Sequence, residues 1–506
     1  MQSEYLDYDA IGLAELVRSA QVSARELIDT AIARAEAVDP ALNAIVLKDY
    51  QAARHRASRG GRNGARSLGD GPLEGVPYLI KDLGAPVAGL RMSMGCRHFQ
   101  HYTPTEDSLI VARSKLAGLN IFGKTNTPEI GQMPYTEPEL FGPARNPWGL
   151  DYTTGGSSGG AAAAVAGGVV PLAHAADGGG SIRIPASCCG LFGYKPSNDV
   201  QPQPLPAPGD LSVDHAVSRS VRDSALLLDL TSTSSGKPGA FFRAVGEPCA
   251  RLRIGYMAEP QLADGLSADV KAALDDAAKL AESLGHHVEP ASFGLDFDAF
   301  AHAFLVMWSV LAEDIVLNAE RISGQKPKRG DFEIASWAMA HVGRSIGEQD
   351  LPAALELQRQ VTAKMDALMT RYDVLLTPTL AAAPFKIGAK QPTQFERFQM
   401  RLLTAVPVES LLRRMLAVSS RKAFDWAGCT ELFNFTGQPA MSVPLYWNAR
   451  GLPIGVQFAG RRNDDATLFR LAAQLEAARP WFGRRPGLIV DFRSHSGFRG
   501  RAAAAG

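Results

Sequence analysis

Apolar residues recur at helical spacing near the start of the chain. Leu13, Leu16 and Val17 share one face, and Leu27, Ile28, Ala31, Ile32 and Ala35 share the next. Ser23-Ala-Arg-Glu26 has the form of a capping box opening the second helix, and Asp39-Pro40 is expected to end it. From Gly75 to Pro196 the pattern changes to short β-rich runs, such as Val76 to Ile80 and Leu119 to Phe122, between helical segments. Alternation of that kind indicates an α/β sheet core. Leu252 to Tyr256 reads as a further strand and Ser267 to Leu284 as a helix. Residues 295–430 read as mostly helical, an insertion or cap over the core. Strands return between Asn434 and Gly460, where Pro444 and Pro453 suggest edges or turns. Asp465 to Ala478 reads as a closing amphipathic helix, and residues 491–506 as a disordered tail.

One stretch breaks the ordinary mixture of polar and apolar positions. Between Tyr152 and Ala176 there is no Asp, Glu, Lys or Arg. The run is long enough to span a bilayer, but its paired glycines, Pro171 and several Ser and Thr make it a poor membrane helix. A buried segment of a soluble protein is the better reading. Lys plus Arg and Asp plus Glu both total 52, so no global field points to nucleic acid or an anionic membrane. Arg54, Arg56, Arg59, Arg62 and Arg66 lie among glycines without interleaved aromatics, which reads as a solvated loop. The five cysteines are odd in number, irregularly spaced and without zinc-ligand spacing, so a reducing, cytoplasmic setting is expected. The acidic N-terminus lacks the regions of a signal peptide.

The uncharged run joins two glycine-flanked serines: Gly155-Gly-Ser157-Ser-Gly-Gly160 and Asp177-Gly-Gly-Gly180-Ser181-Ile-Arg183-Ile-Pro185. Glycine lets backbone N–H groups approach a ligand closely, the geometry an oxyanion hole requires. Three serine chemistries compete. Gly155 to Gly159 matches the G-x-S-x-G nucleophile elbow, but Asn146 to Thr154 does not read as the buried strand that elbow needs. His174, His215, His286, His287, His302 and His341 read as ordinary core or surface histidines. Ser419-Ser-Arg-Lys422 matches S-x-x-K only weakly, and neither glycine run continues into the Lys-Ser or Lys-Thr of a phosphate loop. The third chemistry adds a lysine: Gly75-Val-Pro77-Tyr-Leu-Ile80-Lys81 is a short apolar strand that ends in one. Alone, such a lysine reads as reaching solvent; beside two serine motifs it becomes a candidate base.

Together with Gly123-Lys-Thr-Asn126, Phe141-Gly-Pro-Ala-Arg145-Asn-Pro147-Trp148 and Phe433-Asn-Phe-Thr-Gly437-Gln-Pro439, these segments resemble the amidase signature family from about Leu13 to Trp481. Asn126-Thr-Pro-Glu-Ile-Gly131, Thr136-Glu-Pro-Glu139 and Ala173-His-Ala-Ala-Asp177 look most like its 6-aminohexanoate cyclic-dimer hydrolase branch. The resemblance implies one α/β/α domain over residues 1–490, with a central mixed sheet, a core signature at 70–200 and the helical cap. It implies Ser181 as nucleophile, Ser157 as bridging serine after a cis bond from Gly156, and Lys81 as base. The N–H groups of Gly178, Gly179, Gly180 and Ser181 would form the oxyanion hole. Ser158 and Asp177 would hold the loop, and Arg183 would be the buried partner of an acid. Gly131, Gln132 and Trp308 would meet substrate, against the alternative that Trp308 only packs with Phe304 and Trp337. Two departures from the family pattern are Gly178, where Thr, Ile or Ala is more usual, and Ala161, where Ser, Glu or Gly is frequent. Cys188 and Cys189 read as small buried hydrophobes.

The chemistry is coherent, because a serine needs an adjacent base and a lysine near 10.4 must lose its charge by burial to serve as one. The expected activity is hydrolysis of a carboxylic amide through a Ser acyl-enzyme, without cofactor or metal, on a small-molecule amide. Neither nucleic acid nor membrane is an expected partner, and a homodimer stays open. Phe304, Leu305, Met307 and Trp308 favour an apolar or linear ω-amino acyl group. A cyclic-amide hydrolase, the glutamine-hydrolysing subunit of a tRNA-dependent amidotransferase and an inactive binding scaffold are the alternatives.

Overall fold

Successive side chains on a strand point to opposite faces, and this alternation sorts the core. The computed structural model describes residues 4–59, 71–201, 209–233, 239–259, 265–405, 411–412 and 424–489. Its strands are β1 (Ile45–Lys48), β2 (Pro77–Lys81), β3 (Asn120–Thr125), β4 (Arg145–Asn146), β5 (Gly149–Thr153), β6 (Leu172–Asp177), β7 (Phe192–Lys195), β8 (Val213–Ser218), β9 (Arg253–Tyr256), β10 (His287–Pro290), β11 (Val374–Pro378), β12 (Ala440–Trp447) and β13 (Pro453–Gly460). Eight of them form a central sheet in the order β10-β9-β11-β13-β12-β7-β8-β6. It is mixed: β10, β9 and β11 run parallel, and the remaining neighbours pair antiparallel. A smaller sheet, β1-β3-β2, ends on the strand that carries Lys81.

Val374, Leu376, Met441 and Phe458 pack with Leu274 and Ala277 of helix Ala268–Ser283 and with Leu468 and Leu471 of helix Asp465–Ala478. Their neighbours Leu375, Ala440 and Ala459 face the other way, onto Phe300 and Phe304 of helix Phe297–Val316 and onto Met365 of helix Asp350–Leu368. Helix Phe297–Val316 is apolar and long enough to resemble a membrane span, yet Phe300, Phe304, Val306 and Met307 are buried inside the protein.

The uncharged run folds as the end of β5, the helix Gly159–Ala166 and β6. Every residue of that helix is buried, which explains why it is apolar on all sides. A Cβ at Gly160 would lie 2.4 Å from the Asn126 amide nitrogen, so the helix docks on β3 only through glycine.

Several expectations are corrected. The helix opened by the Ser23 capping box runs from Ala24 to Leu42, past Pro40. Pro40 and Glu36 are both exposed, so the carbonyl that proline leaves unpaired meets water. The arginine-rich segment is a helix over Tyr50–Arg59, with Arg54 on Asp29 at 2.7 Å and Arg56 on Asp49 at 3.1 Å; residues 60–70 lie outside the described residues. The cap is not wholly helical, because Val374–Pro378 is an interior strand of the main sheet. All five residues are buried, and a short continuous apolar run carries no period that separates strand from helix. Pro444 sits on an interior strand, at a register shift of β12, whereas Pro453 is the first residue of β13, directly after the turn that joins it to β12. Ser419 to Lys422 and the tail at 491–506 lie outside the described residues.

Candidate active site

Lys81 is the last residue of β2 and is 1% exposed. Its Nζ donates to Ser157 Oγ at 2.7 Å and to the Ala176 carbonyl at 3.4 Å. Burial pulls the ammonium down to about 7; Asp214 and Asp177, both carboxylates, oppose that fall. Among the described residues two other lysines are buried on strands, and neither hydrogen-bonds to a serine. Lys195 donates to the Pro196 and Gln438 carbonyls and to Asn198 Oδ1, and Lys124 lies 3.6 Å from Asp82.

Ser157 follows a cis bond from Gly156, in the turn between the β4–β5 ribbon and helix Gly159–Ala166. The ribbon is only partly buried, unlike the core strand that precedes a nucleophile elbow. Ser158 Oγ exchanges hydrogen bonds with both backbone groups of Ala176, at 3.3 Å each, and so ties this turn to β6.

Residues 177–183 form the second turn. The Asp177 carboxylate accepts from the N–H groups of Gly180 at 2.6 Å and Ile182 at 3.1 Å, and from Arg183 Nε and Nη2 at 3.0 and 2.9 Å. Arg183 is fully buried and also donates to Gln457 Oε1 at 2.7 Å and Asn434 Oδ1 at 2.6 Å. The acid expected as its partner is therefore Asp177, whose carboxyl the guanidinium holds well below the usual range despite burial. Gly180 departs from its expected place in the oxyanion hole, because its N–H is already given to Asp177. Its φ of +118 and a would-be Cβ only 2.1 Å from Thr430 Oγ1 explain the glycine instead. Among the described residues, none accepts from the N–H groups of Gly178, Gly179 or Ser181.

Two cavities meet at this turn. One is lined by Lys81, Ser157, Gly178, Ser181, Asp214 and Trp308. The other is walled by Tyr135, Phe304, Phe385, Phe424 and Trp426. Gly131, Gln132, Ser181 and Trp308 line both. Trp308 thus borders the cleft and also stacks on Phe304, with ring centroids 5.7 Å apart, whereas Trp337 packs on Phe332 and His341. Met307 is buried instead, against the backbone of Gly209. Cys188 and Cys189 are fully buried, with thiols pushed up by burial.

Sequence reasoning missed three features. His174 is fully buried beside Lys81 rather than placed without context. Glu431 lines the aromatic cavity, its carboxyl raised to about 8 by burial. Phe385, Phe424 and Trp426 arrive from segments with no local signal, brought in by folds of the chain more than 200 residues beyond the serine turns.

A model of the amidase family matches residues 26–469. The 6-aminohexanoate-cyclic-dimer hydrolase of Pseudomonas sp. (strain NK87) is 34% identical over 96% of this chain and 97% of its own length. A solved 6-aminohexanoate cyclic dimer hydrolase complexed with substrate superposes with a TM-score of 0.83 at 32% identity, over 96% of this chain and 99% of that one. A bacterial aryl acylamidase of the amidase signature family superposes at 0.80 and 28% identity, over 95% and 99%. With the glycine-cradled serines, the buried lysine and the mixed sheet, these likenesses make the chain a member of the amidase family, an amide-hydrolysing enzyme.

Proposed function

We propose that the chain hydrolyses carboxylic amides through a Lys81–Ser157–Ser181 relay and a Ser181 acyl-enzyme. The carrying observation is the 2.7 Å contact of Lys81 Nζ with Ser157 Oγ at a buried cleft that Ser181 also lines. A lysine brought to about 7 is neutral in a large fraction at neutral pH. It takes the Ser157 proton while Ser157 takes that of Ser181, whose Oγ adds to the carbonyl carbon. The N–H groups of Gly178, Gly179 and Ser181 face the developing oxyanion. Collapse breaks the C–N bond as the proton returns through Ser157 to the leaving nitrogen. Water then attacks the acyl-enzyme by the same relay. Both proton steps are served by side chains, so the mechanism calls for no metal or cofactor.

The aromatic cavity supports an apolar, flat or slender group on one side of the scissile amide. The relatives named for a cyclic dimer favour a cyclic-amide substrate as second reading; against it stands the bulk of the Trp308 indole, which lines both cavities. Aromatic walls also suit glutamine poorly.

A fluorophosphonate probe tests the relay. It is expected to label Ser181, with labelling abolished in Ser181→Ala. Labelling at Ser157 instead overturns the assignment.

A further inference from the structure

β2 is the edge of the small sheet and β6 the edge of the large one, and no ladder joins them. At the end of β2 the Lys81 N–H has no strand partner on that side. It donates instead to His174 Nδ1, at 3.3 Å, from the middle of β6. The other ring nitrogen, Nε2, lies 3.3 Å from Asp214 Oδ1 on the neighbouring strand β8. An amide N–H can only donate, so Nδ1 must carry the lone pair, and Nε2 then carries the hydrogen that the carboxylate accepts. The His174 ring is fully enclosed, whereas the Asp214 side chain is 14% exposed and lines the cleft.

We propose that His174 and Asp214 are a positioning pair for Lys81. Asp214 sets the tautomer of His174, His174 clamps the last peptide of β2, and that clamp aims Nζ at Ser157. Two elements supply the carboxylates around the amine: β6 brings Asp177, and β8 brings Asp214. Asp177 is already neutralised by Arg183, so Asp214 is the carboxylate whose removal changes the field at Nζ most. That field favours the ammonium, opposing burial. The pair therefore has two separable effects, one on the aim of the amine and one on the pH at which it becomes a base.

The proposal rests on Lys81 being the base. Its test follows the rate at which a fluorophosphonate labels Ser181 across pH, which requires no knowledge of the natural substrate. In Asp214→Asn the hydrogen bond to Nε2 is retained and the charge lost, so the acid limb of the labelling profile is expected to move down by about one pH unit. His174→Leu is expected to slow labelling by about tenfold or more, and His174→Asn, whose Oδ1 can accept the Lys81 N–H, to restore much of the rate. If His174→Leu does not give folded protein, Asp214→Asn and His174→Asn carry the test. An unshifted profile in Asp214→Asn, with wild-type rates in the folded His174 variants, overturns the pairing. Lys81→Met separates the two failures: near-wild-type labelling there removes the base itself, whereas a dead Lys81→Met beside unaffected His174 and Asp214 variants removes only the positioning pair.

Discussion

Asp177 and Arg183 bracket Ser181 in sequence and close on each other in space, through bonds of 3.0 and 2.9 Å between two fully buried side chains. The turn between them has little freedom, because the same carboxylate also receives the N–H groups of Gly180 and Ile182. An ion pair of this kind positions the serine turn through a group that itself never reaches the cleft.

Removing one partner leaves the other charge buried and unpaired. Asp177→Asn is expected to destabilise the protein by about 3–5 kcal/mol, read from urea denaturation. The Asp177 carboxyl is held below its unfolded value, so its contribution is present above that value and lost as pH falls through the folded one. The variant should accordingly lose part of the wild-type protein's steep loss of stability in acid. An unchanged acid limb would detach the pair from stability.

For Lys81 the sign is opposite. Its folded value of about 7 lies below the unfolded 10.5, so the folded state binds fewer protons between them and wild-type stability rises with pH across that window. Lys81→Met keeps the stem and deletes the amine. It is expected to flatten that rise, to be more stable than wild type near neutrality, and to lose most turnover. Denaturation midpoints at about pH 7 and about pH 10 measure the first two effects. A variant that keeps the slope shows that another group titrates there.

Glu129 is 3% exposed at the start of the turn that leads to Gly131 and Gln132, and its Oε1 accepts the Glu333 N–H at 2.7 Å. Burial, with Glu333 nearby, raises its carboxyl to about 8. Its protonated form is favoured on folding, so stability is full below the unfolded 4.5 and falls as pH rises to about 8. Glu129→Gln retains the acceptor without the charge. It is expected to melt higher than wild type at about pH 9 and close to it in weak acid, as thermal scans in matched buffers would show. A variant that melts lower at both values contradicts the assignment.

Trp308 lines both cavities. In Trp308→Ala, relative kcat/KM between slender and bulky acyl amides is expected to change by about 1–3 kcal/mol in favour of the bulky ones. Uniform slowing of all substrates, or loss of the folded state, would place the indole in the cap core with Phe304 alone.

Local pattern carried much of this protein. The Ser23 capping box and helix Asp465–Ala478 were legible because three- and four-residue spacing is enough to define a helix and its cap. The strand ending in Lys81 and the two serine turns were legible because glycine and proline punctuate the chain wherever the backbone must turn tightly or approach closely. What no window of sequence contained was partnership. Val374–Pro378 became an interior strand because β9 and β13, more than a hundred residues before it and some eighty after, supply its ladders. His174 looked ordinary until the edge of β6 met the end of β2, and Gly180 looked like an oxyanion donor until Asp177 took its N–H. Residue type and spacing determine which groups can donate, accept or carry charge. Which of them are satisfied, and which are driven from their ordinary protonation by burial, is decided only when distant segments exclude water around them.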